Sequence, residues 1–222
     1  MPAGCSVLVL DSLSTDGTAD VARAHGAIVI EREWRGFMDA RTFALAAVRT
    51  PWTLMIDADE VLDDDLRSSI VAANGDVDGY RVARTTFFCG RAMRIWTDER
   101  ILRLFRTDRA RLRSRGMSDQ AEVHEVWSIP GMVSDLSGVL LHYSYPSVAS
   151  YRSKYERYTD LEAMVLRAAP KHTRIESLKA LLSFLNLLFL RGGIFDGWRG
   201  IYAAWWSSRY RLISLGKAAK SS

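Results

Sequence analysis

Cysteine is almost absent: Cys5 and Cys89 are the only two in 222 residues. That excludes a disulfide framework and the paired spacings of a structural zinc site, and a reducing compartment is the matching expectation. The first residues hold no basic segment followed by an apolar run, so no secretory signal is read there. No stretch reaches the roughly 18–20 apolar residues that span a bilayer. The nearest, from Leu178 to Leu190, is short and carries Lys179, so it reads as a buried or interfacial helix. Internal repeats and low-complexity tracts are missing. So are a Ser-His-Asp or Cys-His constellation and any zinc-finger or RRM-type reader motif, which sets aside covalent nucleophilic catalysis and nucleic acid as a partner.

What is present is an apolar fraction of 48%, enough for a packed globule, and a segregated charge pattern beneath a net +4. Residues 1–80 carry 6 basic and 14 acidic side chains, and residues 81–115 carry 11 arginines against 3 acids. Residues 116–145 hold 4 acids and no base, and 146–222 hold 13 basic against 5 acidic groups. An acidic half beside arginine-rich blocks fits a phosphorylated ligand lying between them.

The run Ser6-Val7-Leu8-Val9-Leu10 reads as a strand covered on both faces. It exits into Asp11-Ser12-Leu13-Ser14-Thr15-Asp16-Gly17-Thr18, a turn rich in cap residues, and a helix over 19–25 stopped by Gly26 follows. A strand at 27–30, a helix over 39–48 broken by Pro51, and a strand at 52–56 complete the alternation. This order predicts an α/β fold with a parallel, Rossmann-like sheet and ligands at the carboxyl ends of its strands. After Gly79, strand-like pieces at 80–84, 101–105 and 139–143 point to a mixed or antiparallel extension. Helices are expected over 147–169, 173–190 and 196–210, giving a domain at 1–146 and a helical appendage at 147–222.

Asp57-Ala58-Asp59-Glu60 closes the strand at Trp52-Thr53-Leu54-Met55-Ile56. Carboxylates at a strand exit offer hard oxygen ligands, and Mg²⁺ is usually held by one or two carboxylates plus substrate phosphates. The plainer reading is a solvated helix start, which fits Asp63, Asp64 and Asp65, with Asp63 as N-cap. An EF-hand fails, because Ser68 stands where its twelfth-position Glu belongs and Leu62 where its Gly belongs.

With the Asp11–Thr18 turn and the acidic tetrad stand Glu33-Trp34-Arg35-Gly36-Phe37, Arg103-Leu104-Phe105, Val123-His124-Glu125 and His142-Tyr143-Ser144-Tyr145. In this order, over residues 6–160, they make the chain resemble family 2 glycosyltransferases, and within them the branch that adds sugars to the lipopolysaccharide inner core. The resemblance implies a GT-A fold, meaning a mixed sheet with helices on both faces. It also implies a nucleotide-diphosphate-sugar donor with UDP-glucose as a candidate, Mg²⁺ or Mn²⁺, and inverting transfer. Position by position, Asp11 would contact the donor nucleoside. Asp57 and Asp59 would form the D-x-D pair holding the metal against the diphosphate, and His142 would reach back to that metal. Glu125 would be the catalytic base. Members normally begin with a further strand bearing a Thr-x-Asn-Glu-like segment, and this chain is expected to lack that central strand.

Each assignment has a plainer counterpart. Glu125 could be a rim carboxylate paired with an arginine, with Asp98 as the rival base; His142 could be a histidine bonded at a strand end, and His124 orienting or structural. Trp34 and Trp96 could stack on sugar or base, or belong to the core. Of Arg100, Arg103 and Arg106, Arg103 is the first choice for gripping a donor or acceptor phosphate. In the C-terminal region Trp198, Tyr202, Trp205, Trp206 and Tyr210 stand among arginines. That mix fits a monotopic contact with an anionic membrane at the cytoplasmic face, or a helical core with a basic outer side. The rival functions are a metal-dependent nucleotidyl- or phosphotransferase and a donor-binding module with little turnover.

Overall fold

The structure, a computed structural model, describes residues 5–97, 99–114, 125–166 and 173–220. Strand β1 (Leu8–Asp11) runs parallel to β2 (Ile28–Glu31), with Leu8 opposite Ile28 and Asp11 opposite Glu31. The parallel pairing needs a crossover, supplied by helix α1 (Thr18–Ala24). The turn before it is folded by its own side chains: Asp11 Oδ2 accepts the Ser14 N–H at 2.8 Å, and Asp16 accepts the Thr18 N–H and hydroxyl. Helix α2 (Phe37–Ala47) then leads to β3 (Trp52–Leu54).

Here the single parallel sheet expected from the alternation gives way to two. β1 and β2 form a sheet by themselves, and β3 opens a six-stranded sheet in which it pairs antiparallel with β7 (Glu99–Arg106), Thr53 opposite Phe105. Strand periodicity is local and carries no information on which distant strand supplies the hydrogen bonds. β1 and β3 each keep one edge without a strand partner among the described residues.

The larger sheet runs β3-β7-β5-β10-β4, built with β4 (Glu60–Leu62), β5 (Gly79–Phe88) and β10 (Val133–Tyr145); β6 (Arg91–Ala92) folds back on β5. β5 and β10 are parallel and the other pairs antiparallel, so the sheet is mixed. Consecutive strand residues face opposite ways, and Leu104 and Phe105 show the two layers. Leu104 joins Leu66, Tyr80, Val82, Leu136 and Leu140 beneath helix α3 (Asp64–Val71). Phe105 joins Ala110, Trp127 and Leu45 of α2, beside the ribbon of β8 (Arg111–Ser114) and β9 (Glu125–Ser128). Helices therefore cover both faces, as expected. Asp63 caps α3 through Oδ1 to the Leu66 N–H at 2.8 Å, while its Oδ2 accepts the Val139 N–H at 3.0 Å. Next to that clamp Gly138 has φ +87°, and a Cβ there would lie 2.1 Å from the Leu66 nitrogen, so only glycine lets helix and strand approach this closely.

Three longer helices follow: α4 (Val148–Leu166), α5 (Thr173–Leu185) and α6 (Trp198–Lys220), the last running ten residues beyond its expected end at 210. A π-helical turn over Asn186–Leu190 and a 3₁₀ turn over Gly193–Asp196 connect α5 to α6. These helices share a core with the sheet. Phe88, Met93 and Ile95 pack with Tyr151 and Tyr155 of α4 and with Ala203 and Ala204 of α6. Trp96 stacks on Tyr151 within this cluster, so its role is that of a core aromatic. The C-terminal aromatics divide: Tyr202, Trp206 and Tyr210 turn inward, while Trp198 and Trp205 are exposed.

Candidate functional site

The acidic tetrad is a short turn, closed by the Glu60 N–H donating to the Asp57 carbonyl, and it feeds directly into β4. β4 lies antiparallel to β10 with Glu60 opposite His142, which carries the preceding Asp59 to the histidine. Asp59 Oδ2 lies 3.4 Å from His142 Nε2 and 3.3 Å from Lys154 Nζ of α4. Behind them, His142 Nδ1 meets the Thr86 hydroxyl at 3.2 Å, and Lys154 also donates to the Ser144 hydroxyl at 3.2 Å. The hydrogen bond from His142 holds the Asp59 carboxyl well below the usual carboxylate range; burial opposes this, and the Lys154 ammonium adds to it.

Asp57 faces another set. Its Oδ1 accepts from Arg41 of α2 at 3.0 Å and its Oδ2 from Arg103 of β7 at 2.8 Å, while its own N–H donates to Glu60 Oε2. Arg103 also donates to Glu60 Oε1 at 2.5 Å, and Arg84 approaches the same oxygen at 3.5 Å. Burial pushes the Asp57 carboxyl up, but the guanidiniums of Arg103 and Arg41 outweigh it and leave the group below its ordinary value. The Glu60 side chain is 0% exposed and that of Arg103 6%, so this is an interior charge cluster with two carboxylates neutralised by arginines. Arg103, expected to grip a phosphate, is committed to those two carboxylates. Its Nε, like that of Arg84, is buried without a hydrogen-bond partner.

The expected metal ligands thus fall into two places. Asp59 and His142 present an oxygen and a nitrogen to one point, whereas both Asp57 oxygens are turned toward arginines. Among the described residues no group of three or more His, Cys, Asp or Glu is arranged around a metal position. Asp59 Oδ2 and His142 Nε2 are the oxygen and nitrogen offered to a divalent cation here. The Lys154 ammonium lies on that same oxygen, so a cation would displace it and complete its shell with substrate phosphates and water.

Asp11 ends β1 with its carboxylate buried and held below its ordinary value by the hydrogen bonds from Ser14. Trp34 is exposed in the loop between β2 and α2, edge-on to Phe37 with centroids 4.7 Å apart. Glu125 opens β9 opposite Ser114. Asp98 and His124 lie outside the described residues. Sequence reasoning missed Lys154, Arg41 and Arg84. Arg84 gave only the charge of its arginine-rich block as a signal, and Arg41 stood in the acid-rich first 80 residues and gave none. Lys154 sits 95 residues from its carboxylate partner on a helix where a lysine reads as solvated.

The family model for glycosyl transferase family 2 matches residues 3–124. The chain is 30% identical over 228 residues to the lipopolysaccharide core biosynthesis glycosyltransferase LpsC of Rhizobium meliloti (strain 1021), covering 95% of this chain and 81% of that protein. It is 25% identical over 223 residues to the glycosyltransferase RT0209 of Rickettsia typhi, covering 95% and 76%. Among solved structures, S. aureus TarS 1-349 in complex with UDP-GlcNAc aligns at 12% identity and a TM-score of 0.42, over 97% of this chain and 74% of that one.

Proposed function

This chain belongs to glycosyltransferase family 2, and from that premise we propose that it transfers a sugar, with inversion, from a nucleotide-diphosphate donor to a lipopolysaccharide-core or related glycolipid acceptor at the cytoplasmic face of the membrane. UDP-glucose is the donor to try first. The observation that carries the reading is the junction of Asp59, His142 and Lys154, where a carboxylate, an imidazole and an ammonium converge. Those three groups suit a diphosphate. Lys154, with 37% of its side chain exposed, can donate to phosphate oxygens. Asp59 and His142 would hold Mg²⁺ or Mn²⁺, whose chemistry is to take up the charge that builds on the leaving diphosphate.

The other residues take supporting parts. Arg103 and Arg41 act as positioning residues that keep Asp57 ionised and fix the turn bearing Asp59. Asp11 is assigned to the nucleoside and Trp34 to stacking beside it. Glu125 would take the proton from the acceptor hydroxyl as that oxygen bonds to the anomeric carbon and the bond to the diphosphate breaks. Such a base contributes about 10²–10⁴-fold; Asp98 is the alternative.

Calorimetric titration of UDP and UDP-glucose, with and without Mn²⁺, tests the reading. The expected result is metal-dependent binding to the native chain and its loss in Asp59→Ala. Unchanged affinity in that variant would remove Asp59 from the site. Glu125→Gln should bind donor yet fail to transfer sugar, and near-normal turnover would pass the base role to Asp98. Release of pyrophosphate in place of the nucleoside diphosphate would instead identify a nucleotidyltransferase.

A further inference from the structure

Nearly half of the large apolar side chains that the described residues leave exposed lie between Ile175 and Trp205. On α5, Leu178, Leu182 and Leu185 recur at helical spacing and are exposed; on α6, Trp198 and Trp205 are exposed two turns apart. Phe184 and Trp205 meet edge-on at 6.1 Å, so the two stripes adjoin. The turns between the helices end the face with Leu190, 83% exposed, and Phe195, 63% exposed. Scattered apolar residues on a surface need no explanation, but a contiguous patch beyond a few hundred Å² marks a protein or membrane contact.

Charge selects the occupant. Residues 173–220 carry eight lysines and arginines against two acids, Glu176 and Asp196. Glu176 is paired with Lys179, and Asp196 is buried and accepts the Ile95 N–H. Arg211 and Lys217 pair with Glu162 and with Glu156 and Asp160 of α4, so among the described residues the exposed cations beside the face are Arg94, Arg191 and Arg209. Around the apolar face stand arginines over its own rings: Arg209 over Trp205 at 4.1 Å, Arg199 over Trp198 at 4.8 Å and Arg94 over Phe195 at 5.4 Å. Aromatic rings with adjacent guanidiniums suit the headgroup boundary, where the ring lies at the apolar level and the cation meets lipid phosphate. A second copy on this face would set arginine against arginine, which like-charge repulsion disfavours. No helix among the described residues is long and apolar enough to cross a membrane, so the contact would lie along the surface.

We propose that the α5–α6 face is a monotopic docking surface for an anionic bilayer, with Leu190 and Phe195 inserting below the headgroups and the exposed Arg94 and Arg209 meeting lipid phosphates, while Arg199 is held inward on the Cys89 carbonyl. This stands apart from the sugar-transfer reading, since docking requires neither donor nor turnover.

The test is flotation of the full chain with vesicles of phosphatidylcholine alone and vesicles rich in phosphatidylglycerol, at low and high salt. The expected result is flotation with the anionic vesicles, weakened at least about tenfold by salt or by their replacement with phosphatidylcholine. Leu190→Glu combined with Phe195→Glu should lower partitioning at least about tenfold, with circular dichroism and monomer mass unchanged. Both positions are exposed, so folding is not at stake. A monodisperse chain that does not float with anionic vesicles would overturn the proposal, as would a double variant that floats like the native chain. A dimer that the double variant dissociates would instead assign the face to self-association.

Discussion

Asp57 and Asp59 stand two residues apart, and different neighbours keep each of them ionised. For Asp57 the partners are arginines, which hold their charge at every relevant pH, so its contribution to stability can be isolated. Burial raises this carboxyl and the Arg103 and Arg41 charges more than reverse that, leaving the folded-state value below the ordinary one. A lowered value means the pairing stabilises the fold at neutral pH. That contribution persists down to about pH 4 and is lost as the pH falls from there through the folded-state value. Asp57→Asn leaves one acceptor oxygen for two guanidiniums. It should cost about 1.5–3 kcal/mol at pH 7, the range for hydrogen bonds to charged groups. Urea unfolding checks this: the gap between native and variant should be equal at about pH 7 and pH 5 and should narrow near pH 3. A gap that stays constant into acid would mean that Asp57 contributes packing and not charge.

At the scale of elements, α3 shows how one side chain can tie a helix to a strand. Asp63 uses one oxygen as N-cap and the other on the Val139 N–H of β10, beside the close approach at Gly138. Asp63→Ala removes both bonds. A lost cap costs about 0.5–2 kcal/mol and an unpaired N–H up to about 1–3 kcal/mol where it is buried. The Val139 N–H is only part-buried, so a total of about 1.5–5 kcal/mol, toward the lower end, is expected in chemical denaturation. Asp63→Asn, which keeps one acceptor oxygen, should fall between the two, and equal losses in both variants would sink the two-bond account. The cap was legible because cap chemistry is decided by a few consecutive residues. β4 was not, since Glu60-Val61-Leu62 is three residues at the end of an acidic run and shows no periodicity. The Asp59–His142 pair was anticipated only through the family pattern, because strand pairing between Glu60 and His142, 82 positions apart, leaves no local mark. Arg103 was read as a phosphate grip because its charge is visible in sequence, while the Glu60 and Asp57 carboxylates that absorb it are brought there by folding.

Across the whole molecule, apolar burial is uneven, and that has a measurable consequence. The six-stranded sheet and the C-terminal helices share the core of Phe88, Met93, Ile95, Tyr151 and Tyr155. In the small β1–β2 sheet, by contrast, Asp11 is the buried residue of the two strands and Ala19 that of α1. Its ties to the rest run through α2, by Leu45 in the Phe105 cluster and by the Arg41–Asp57 pair. Segments with little buried apolar contact open locally at lower free energy than the core. Native-state hydrogen exchange should therefore find amides of β1 and β2 exchanging well before those of β5 and β10, while β5 and α4 exchange together as one unit. A donor that engages both Asp11 and the turn at Asp57 and Asp59 would join the two sheets. UDP with Mn²⁺ should then slow exchange in β1 and β2 more than in β5 or β10, by a factor that grows with free ligand concentration as linkage requires. If ligand protected the acidic turn and left β1 and β2 unchanged, Asp11 would be out of the donor site and the nucleoside would have to be held by the larger sheet alone.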